Sequence, residues 1–535
     1  MRVLIALSLL LVPFVSAASA QSDDPEPTPG EALFVVSGRG WGHGVGMSQW
    51  GAYGMAREGY DHEEILAHYY YGTKVGRAGT KQVRVLLAEG RRAATLSSPI
   101  PFSVVDADGE TYRLAAGALA LKPGLVVRTE TGRVRAKSPL LVRPGKSAPL
   151  SFDGRLYRGQ VEVAVEKRFL RIVNALPLET YLQGVVAGEV PHTWPTEALR
   201  AQAVAARSYA LATKVEGKPF DLYSDVRSQV YLGVAGEKAR TTEAVRATAG
   251  EVVLYGGRIA TTYYFSSSGG RTASAADVFG FSVPYLVSRP DPWDSASPNH
   301  RWGPVLLGAR TLQAKLDLDS RVLDAATVPT PSGHIRSLRL VTVNGGTAVP
   351  GTLLRTALGL RSTWITVGVL RLDQPRQTVV FGSTLRLSGI ARGLASPTLG
   401  ASADGGSWTS VGRLARAADG TASLEVSPTR TTRYRIEVQG AGSPAVFVPV
   451  APKVQLRDGG EPKALAGTVR PRLQGARVAV ERRVGSVWDG VGTATVGTDG
   501  TFRASLKVVS GSYRARVAKT GTWAEGVTPV LVVTR

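Results

Sequence analysis

Residues 38–47 read Gly-Arg-Gly-Trp-Gly-His-Gly-Val-Gly-Met, a glycine at every second position. If extended, a period of two leaves one face bare and sets Arg39, Trp41, His43, Val45 and Met47 on the other. A bare face admits a second backbone or a long ligand at close range. Five glycines lose much chain entropy on folding, so packing or function must compensate. A dinucleotide loop is excluded: in every register of Gly-x-Gly-x-x-Gly the third glycine falls at His43, Val45, Met47 or Gln49.

Working outward, residues 48–57 predict a helix stopped at Gly59, and residues 61–70 a second one with Asp61 and Glu64 at capping-box spacing. From about Lys81 to Val173, β-rich runs (83–87, 125–130, 161–165 and 169–173) alternate with turn pairs such as Asp108-Gly109 and Asp153-Gly154, the pattern of an antiparallel sheet. Helical spacing returns at 179–187 and 194–213, the latter rich in small residues that suit a tightly packed helix. Past Leu370 no helical period remains. Trp408, Asp419-Gly420-Thr421 and Tyr434-Arg435 match Trp488, Asp499-Gly500-Thr501 and Tyr513-Arg514 at spacings of 11 and 15 against 11 and 14. The repeat predicts two β-sandwich modules, residues 371–452 and 453–535, that serve either as spacers or in wall binding.

The first 20 residues carry Arg2, an apolar run from Val3 to Val15, and Ala18-Ser19-Ala20, the pattern of a secretory signal peptide. An acidic, proline-containing linker follows at 21–30. No later run approaches the length of a membrane span, so a soluble exported protein is expected, without a transmembrane segment. Cysteine is absent, which excludes disulfides and thiolate metal sites. The net charge is +22, and from Arg376 onward there are 22 Lys plus Arg against 10 Asp plus Glu. For an exported chain this favours anionic wall polymers or lipid headgroups as partners over nucleic acid, or else a basic surface kept for solubility.

Residues 174–209 read NALPLETYLQGVVAGEVPHTWPTEALRAQAVAARSY. Glu189 stands between two predicted helices, after Gly188 and before Pro191. A carboxyl held there is partly desolvated, which raises its pKa toward that of a general acid, unless it caps the second helix instead. Glu179 and Glu197 each sit at a helix start, where a capping or dipole role is expected.

These residues, with GRGWGHGVGMSQW (38–50), DVRSQVYLG (225–233), FSSSGGRT (265–272) and PNHRW (298–302), resemble the stage II sporulation protein D family, or SpoIID/LytB domain, over residues 31–370. The resemblance implies an α+β fold, antiparallel sheets with a few packed helices, ahead of the two all-β modules. It implies a lytic transglycosylase that cuts peptidoglycan glycan strands between N-acetylmuramic acid and N-acetylglucosamine, with Glu189 of the Gly-Glu-x-Pro motif as the catalytic acid. LytB-type relatives imply the alternative of a non-enzymatic enhancer partnering a cell-wall amidase. A wall-binding protein acting through its basic modules is the third reading. One acid suffices for lytic cleavage, because the muramyl C6 hydroxyl is the internal nucleophile, whereas a retaining hydrolase needs a second carboxyl about 5 Å away.

Matched positions expected to contact substrate are Trp41, His43, Ser48, Gln49, Trp194, Arg207, Tyr209 and Ser268, each with a structural role as the competing reading. No cofactor is expected. Some relatives hold zinc with His and Cys in the segment matching 265–270; Phe265 and Ser268 stand in those places, so no structural zinc is expected. The order also departs from the family, whose glycine-histidine motif follows the catalytic segment; here it comes first. A circular permutation is expected, which requires the strand at 34–38 to lie beside that at 363–367.

Overall fold

The computed structural model describes residues 28–79, 81–146 and 148–535. The expected signal peptide and all but the last residues of the linker lie outside them.

The glycine run is extended only at its start. The Leu33–Gly38 strand gives way to a path in which Gly40, Gly42, Gly44 and Gly46 take φ of +72°, +121°, +86° and +82°, a region closed to most L-residues. The path lies against residues 263–273. Trp41 exchanges backbone hydrogen bonds with Ser267 at 2.7 and 3.0 Å, Met47 N–H donates to the Tyr263 carbonyl, and Met47–Ser48 pairs in parallel with Tyr264–Phe265. A Cβ on Gly46 would stand 2.0 Å from the Tyr263 carbonyl oxygen, and one on Gly40 2.4 Å from that of Ser267. Of the two alternatives, the bare side therefore receives a second backbone, the protein's own, along a path of positive-φ residues and not a continued strand.

Ser48 then caps helix α1 (Gln49–Arg57), its Oγ accepting from Gly51 N–H, and the Asp61/Glu64 capping box starts α2 (His62–Tyr69). The helix expected at 179–187 is two short ones, α3 (Leu178–Gln183) and α4 (Val186–Glu189). The break falls where the Gly184 carbonyl accepts from Leu232 N–H and Gly184 lies against the Tyr231 ring. Helix α5 (Thr196–Ala212) is buried on all sides, and its alanines let α1, α2 and Ala239–Ala247 pack against it. A seven-stranded sheet containing Gln82–Arg91, Gln160–Glu166 and Phe169–Pro177 completes this first core. No helix among the described residues is long and apolar enough to cross a membrane.

A second core gathers Trp302–Gly308, the sheet at 322–350 and the Gly351–Leu358 helix. The Leu33–Gly38 strand lies here between Trp302–Gly308 and Ile365–Leu372, antiparallel to both, with Gly38 opposite Ile365 and Leu33 opposite Leu370. These are the neighbours that the permutation requires. The sheet continues: Ile365–Leu372 also pairs with Leu385–Arg392, which pairs with Thr421–Val426. Phe34, Val36 and Val369 face the second core, while Val35, Leu370 and Leu372 face the third, that of the first sandwich. A boundary at 370/371 thus falls inside a strand shared by two cores. The fourth core lies wholly within residues 454–533.

The repeat is visible as structure. Arg435 stacks on Trp408 at 3.9 Å and Arg514 on Trp488 at 4.4 Å. Asp419 and Asp499 close equivalent turns onto Thr421 and Thr501, and Tyr434 and Tyr513 are buried. A chain of residues 28–372 uncovers Val35, Leu370 and Leu372, each contributing on the order of 2 kcal/mol when buried. We expect it to aggregate on size-exclusion chromatography while residues 28–452 stay monodisperse; equal behaviour of the two would refute the shared core.

Candidate active site

Glu189 ends α4, and Val190 returns the chain to an extended conformation before Pro191. Its carboxyl does not cap α5, whose N-cap Pro195 has no side-chain hydrogen bond. Instead Oε1 accepts the Val230 N–H at 3.2 Å, and the Tyr264 side chain lies beside the same carboxyl and favours its ionised form. The residue is partly exposed, with protein packed densely around it. Burial pushes its pKa from 4.5 up to about 7, against these two neighbours.

The tyrosine is oriented from behind. Gln229, 1% exposed, donates through Nε2 to the Tyr264 hydroxyl at 2.9 Å and to the Ala206 carbonyl at 3.2 Å, while its Oε1 accepts from Tyr181. With its oxygen accepting from Gln229, the Tyr264 hydroxyl keeps its proton to donate. Burial raises Tyr181 and Tyr264 well above 10 and Tyr209 to about 12, so all three stay protonated donors. Tyr209 lies against Tyr263 and Tyr264, with ring centroids at 5.9 and 6.3 Å.

Of the residues expected to contact substrate, Tyr209 is the one that joins this carboxyl's surroundings. His43 is buried; its Nδ1 accepts from Val45 N–H and its Nε2 bonds the Tyr264 carbonyl at 3.1 Å, so it steadies Tyr264 from the backbone side. Burial holds its pKa down to about 3, so the ring is neutral and both nitrogens are engaged. Ser48 and Ser268 belong to a buried network: Asp294 accepts from Ser48 and Ser267 hydroxyls, Ser268 and Gly269 N–H groups and the His300 ring, while Asp291 accepts from Ser268 and Tyr69. Gln49 reaches Gln202 of α5 at 3.5 Å. Trp194 packs in an aromatic cluster with Trp50 and Tyr53, and Trp41 stays partly exposed at the surface. Arg207 is fully buried and holds Glu179 through two bonds at 2.9 and 2.7 Å, plus the carbonyls of Val245 and Glu251. Glu197 is held by His62 and Arg200. Neither acid is free to serve beside Glu189. Sequence reasoning passed over Gln229, Val230, Tyr181 and Tyr264 as site residues. Gln229 and Val230 stand inside the quoted DVRSQVYLG stretch, and Tyr264 immediately precedes FSSSGGRT.

Fold and site together define an α+β protein organised around one partly buried acid, carried between two helices and framed by tyrosines. The family model described as stage II sporulation protein, SpoIID, matches residues 166–255, which hold Glu189, Tyr209 and Gln229. An uncharacterized protein of Brachyspira hyodysenteriae is 37% identical over 139 residues, covering 25% of this chain and 38% of that one. Stage II sporulation protein D of Bacillus subtilis is 33% identical over 222 residues, 38% of this chain and 63% of that protein. The amidase enhancer of Bacillus subtilis is 34% identical over 239 residues, 43% and 31% of the two chains. The chain spans less than two thirds of the length of each of these relatives. The segment that holds Glu189 thus matches the SpoIID family.

Two outcomes follow from the site. Because the Glu189 pKa is raised on folding, the native state binds more protons than the unfolded chain between pH 4.5 and about 7, and stability falls as pH rises through that window. By pH 8 the loss reaches up to about 3 kcal/mol, and Glu189→Gln should remove it; parallel unfolding curves of the two proteins at pH 5 and pH 8 would contradict the assignment. Arg207→Ala strands Glu179 and opens the core beside α5, and should cost about 3 kcal/mol or more in denaturant unfolding. An unchanged midpoint would show that this pair does not hold the helices together.

Proposed function

We propose that this protein is an exported lytic transglycosylase of the bacterial wall that cleaves peptidoglycan glycan to 1,6-anhydromuramyl ends. What supports the reading is the solitary, partly exposed carboxyl of Glu189 at the end of α4, with the Val230 N–H donating to it and burial raising its pKa to about 7. In its protonated form it gives its proton to the glycosidic oxygen as the bond to the muramyl C1 breaks. The resulting carboxylate takes the proton of the C6 hydroxyl as O6 bonds to C1. The acid is restored and no water is consumed, so neither a second carboxylate nor a water site is required. Val230 N–H and the Tyr264 side chain stabilise the carboxylate formed between the two proton transfers.

A second reading has its own support. The 34% identity to a protein named amidase enhancer favours a non-catalytic partner of a wall amidase, for which the same surface would bind without cleaving.

The deciding experiment incubates the mature protein and Glu189→Gln with glycan strands and analyses the products by mass spectrometry. Anhydromuramyl ends from the wild type, reduced at least a hundredfold in the variant, are expected. The rate should fall above pH about 7 as Glu189 ionises. Intact strands with both proteins, together with faster hydrolysis by an added wall amidase, would replace the lytic reading with the enhancer one.

A further inference from the structure

A second surface, apart from Glu189, is built where three segments distant in sequence are tied by their backbones. Arg39 N–H donates to the Trp364 carbonyl, Gly40 N–H to the Asn299 carbonyl and Gly42 N–H to the Arg361 carbonyl, each at 2.9 Å. Trp302 slides beneath Gly38, where a Cβ would stand 2.2 Å from its ring, and its indole N–H donates to the Gly40 carbonyl. On this frame the side chains pair crosswise: Arg39 stacks on Trp364 at 5.2 Å, and Arg361 on Trp41 at 5.8 Å while donating to Asn299 at 2.5 Å. Both tryptophans and Arg39 are partly exposed, and Arg361 and the neighbouring Arg301 are exposed.

The charge here is unbalanced. Among the described residues no carboxylate pairs with Arg39, Arg301 or Arg361, whereas Arg84, Arg158, Arg200 and Arg207 each have an acidic partner. Asp291 and Asp294, the acids that precede Asn299 and Arg301 in the chain, are buried and occupied by their own donors. Stacking on an indole holds a guanidinium flat and leaves its N–H edge free for a planar oxyanion, and the indoles offer apolar faces and edges to sugar rings. The patch is also linked to the acid. Trp41 is bridged to Ser267, three residues, or roughly 10 Å of extended chain, from the Tyr264 that lies beside Glu189.

We infer that Arg39, Trp41, Arg361 and Trp364 form a binding platform for a carboxylate-bearing glycan, the sugars lying on the indoles and the carboxylates on the guanidinium edges. The choice of a glycan rests on the proposed wall function; the charge and the geometry do not.

The test measures binding, with no cleavage required, using full-length Glu189→Gln and peptide-free glycan strands whose lactyl carboxylates are either native or amidated with carbodiimide. The double variant Arg39→Gln/Arg361→Gln in the same background should bind native strands at least tenfold more weakly, and amidation should weaken the parent to the same level. Arg128→Gln, on the Val126–Thr129 hairpin, controls for general charge, and circular dichroism melts control for folding. Equal affinity of the parent for native and amidated strands, or an equal loss with Arg128→Gln, would overturn the platform. If cleavage by the wild type fails but carboxylate-dependent binding persists, the lytic reading falls and the platform stands.

Discussion

The main-chain contact between residues 40–48 and residues 263–268 is the constraint on which the rest depends. It is possible only because a glycine occupies each position where a Cβ would enter the opposite backbone, as at Gly46 against the Tyr263 carbonyl. The contact fixes Tyr264 at both ends: its carbonyl holds His43, its hydroxyl meets Gln229, and its chain neighbour Phe265 pairs with Ser48. From Ser48 the order passes to α1, which it caps, and to Asp294, which it supplies with one of five donors. Without side-chain-free positions in the run, neither the tyrosine nor the helices behind it would sit where they do.

The acid depends on that order through electrostatics. Burial alone would raise a carboxyl further; hydrogen bonds to the ionised form alone would lower it below its usual range. Val230 N–H and Tyr264 offset part of the desolvation, leaving Glu189 near 7, where both protonation states are accessible. A group that must give a proton and then take one back needs that balance. The direction of the tyrosine hydroxyl is set one residue deeper, by a glutamine that is itself fixed by Tyr181 and the Ala206 carbonyl.

Local features were legible in the sequence because they depend on nearby residues. The capping box of α2, the small-residue helix α5 and the solitary position of Glu189 each follow from a few adjacent side chains. The backbone path of residues 38–47 was not legible, because alternating glycine fits both an extended strand and a string of positive-φ turns, and the tertiary partner at 263–268 decides between them. Arg207 shows the same limit. A matched polar residue in mid-helix reads equally as a substrate ligand or as a buried counter-ion, and its place against Glu179 is settled by tertiary packing, with the Val245 and Glu251 carbonyls holding it as well. The Tyr264 and Gln229 pair carried no pattern of its own, since neither residue type nor spacing distinguishes them from other buried polar groups.

The position of the first strand explains how a rearranged order is compatible with a stable fold. A strand moved from one end of a domain to the other keeps its energy only if its pairings and both of its faces survive the move. Leu33–Gly38 is not at an edge but between two partners, with Phe34 and Val36 in one core and Val35 in the next. Backbone pairing on two sides and side chains on two faces therefore tie it into the sheet. The same placement makes Ile365–Leu372 a shared wall, so the first sandwich is an extension of the sheet that carries the glycine run. Any displacement of that sandwich must then be transmitted through Ile365–Leu372 to Arg39 and Trp364, whose backbones are hydrogen-bonded at its end.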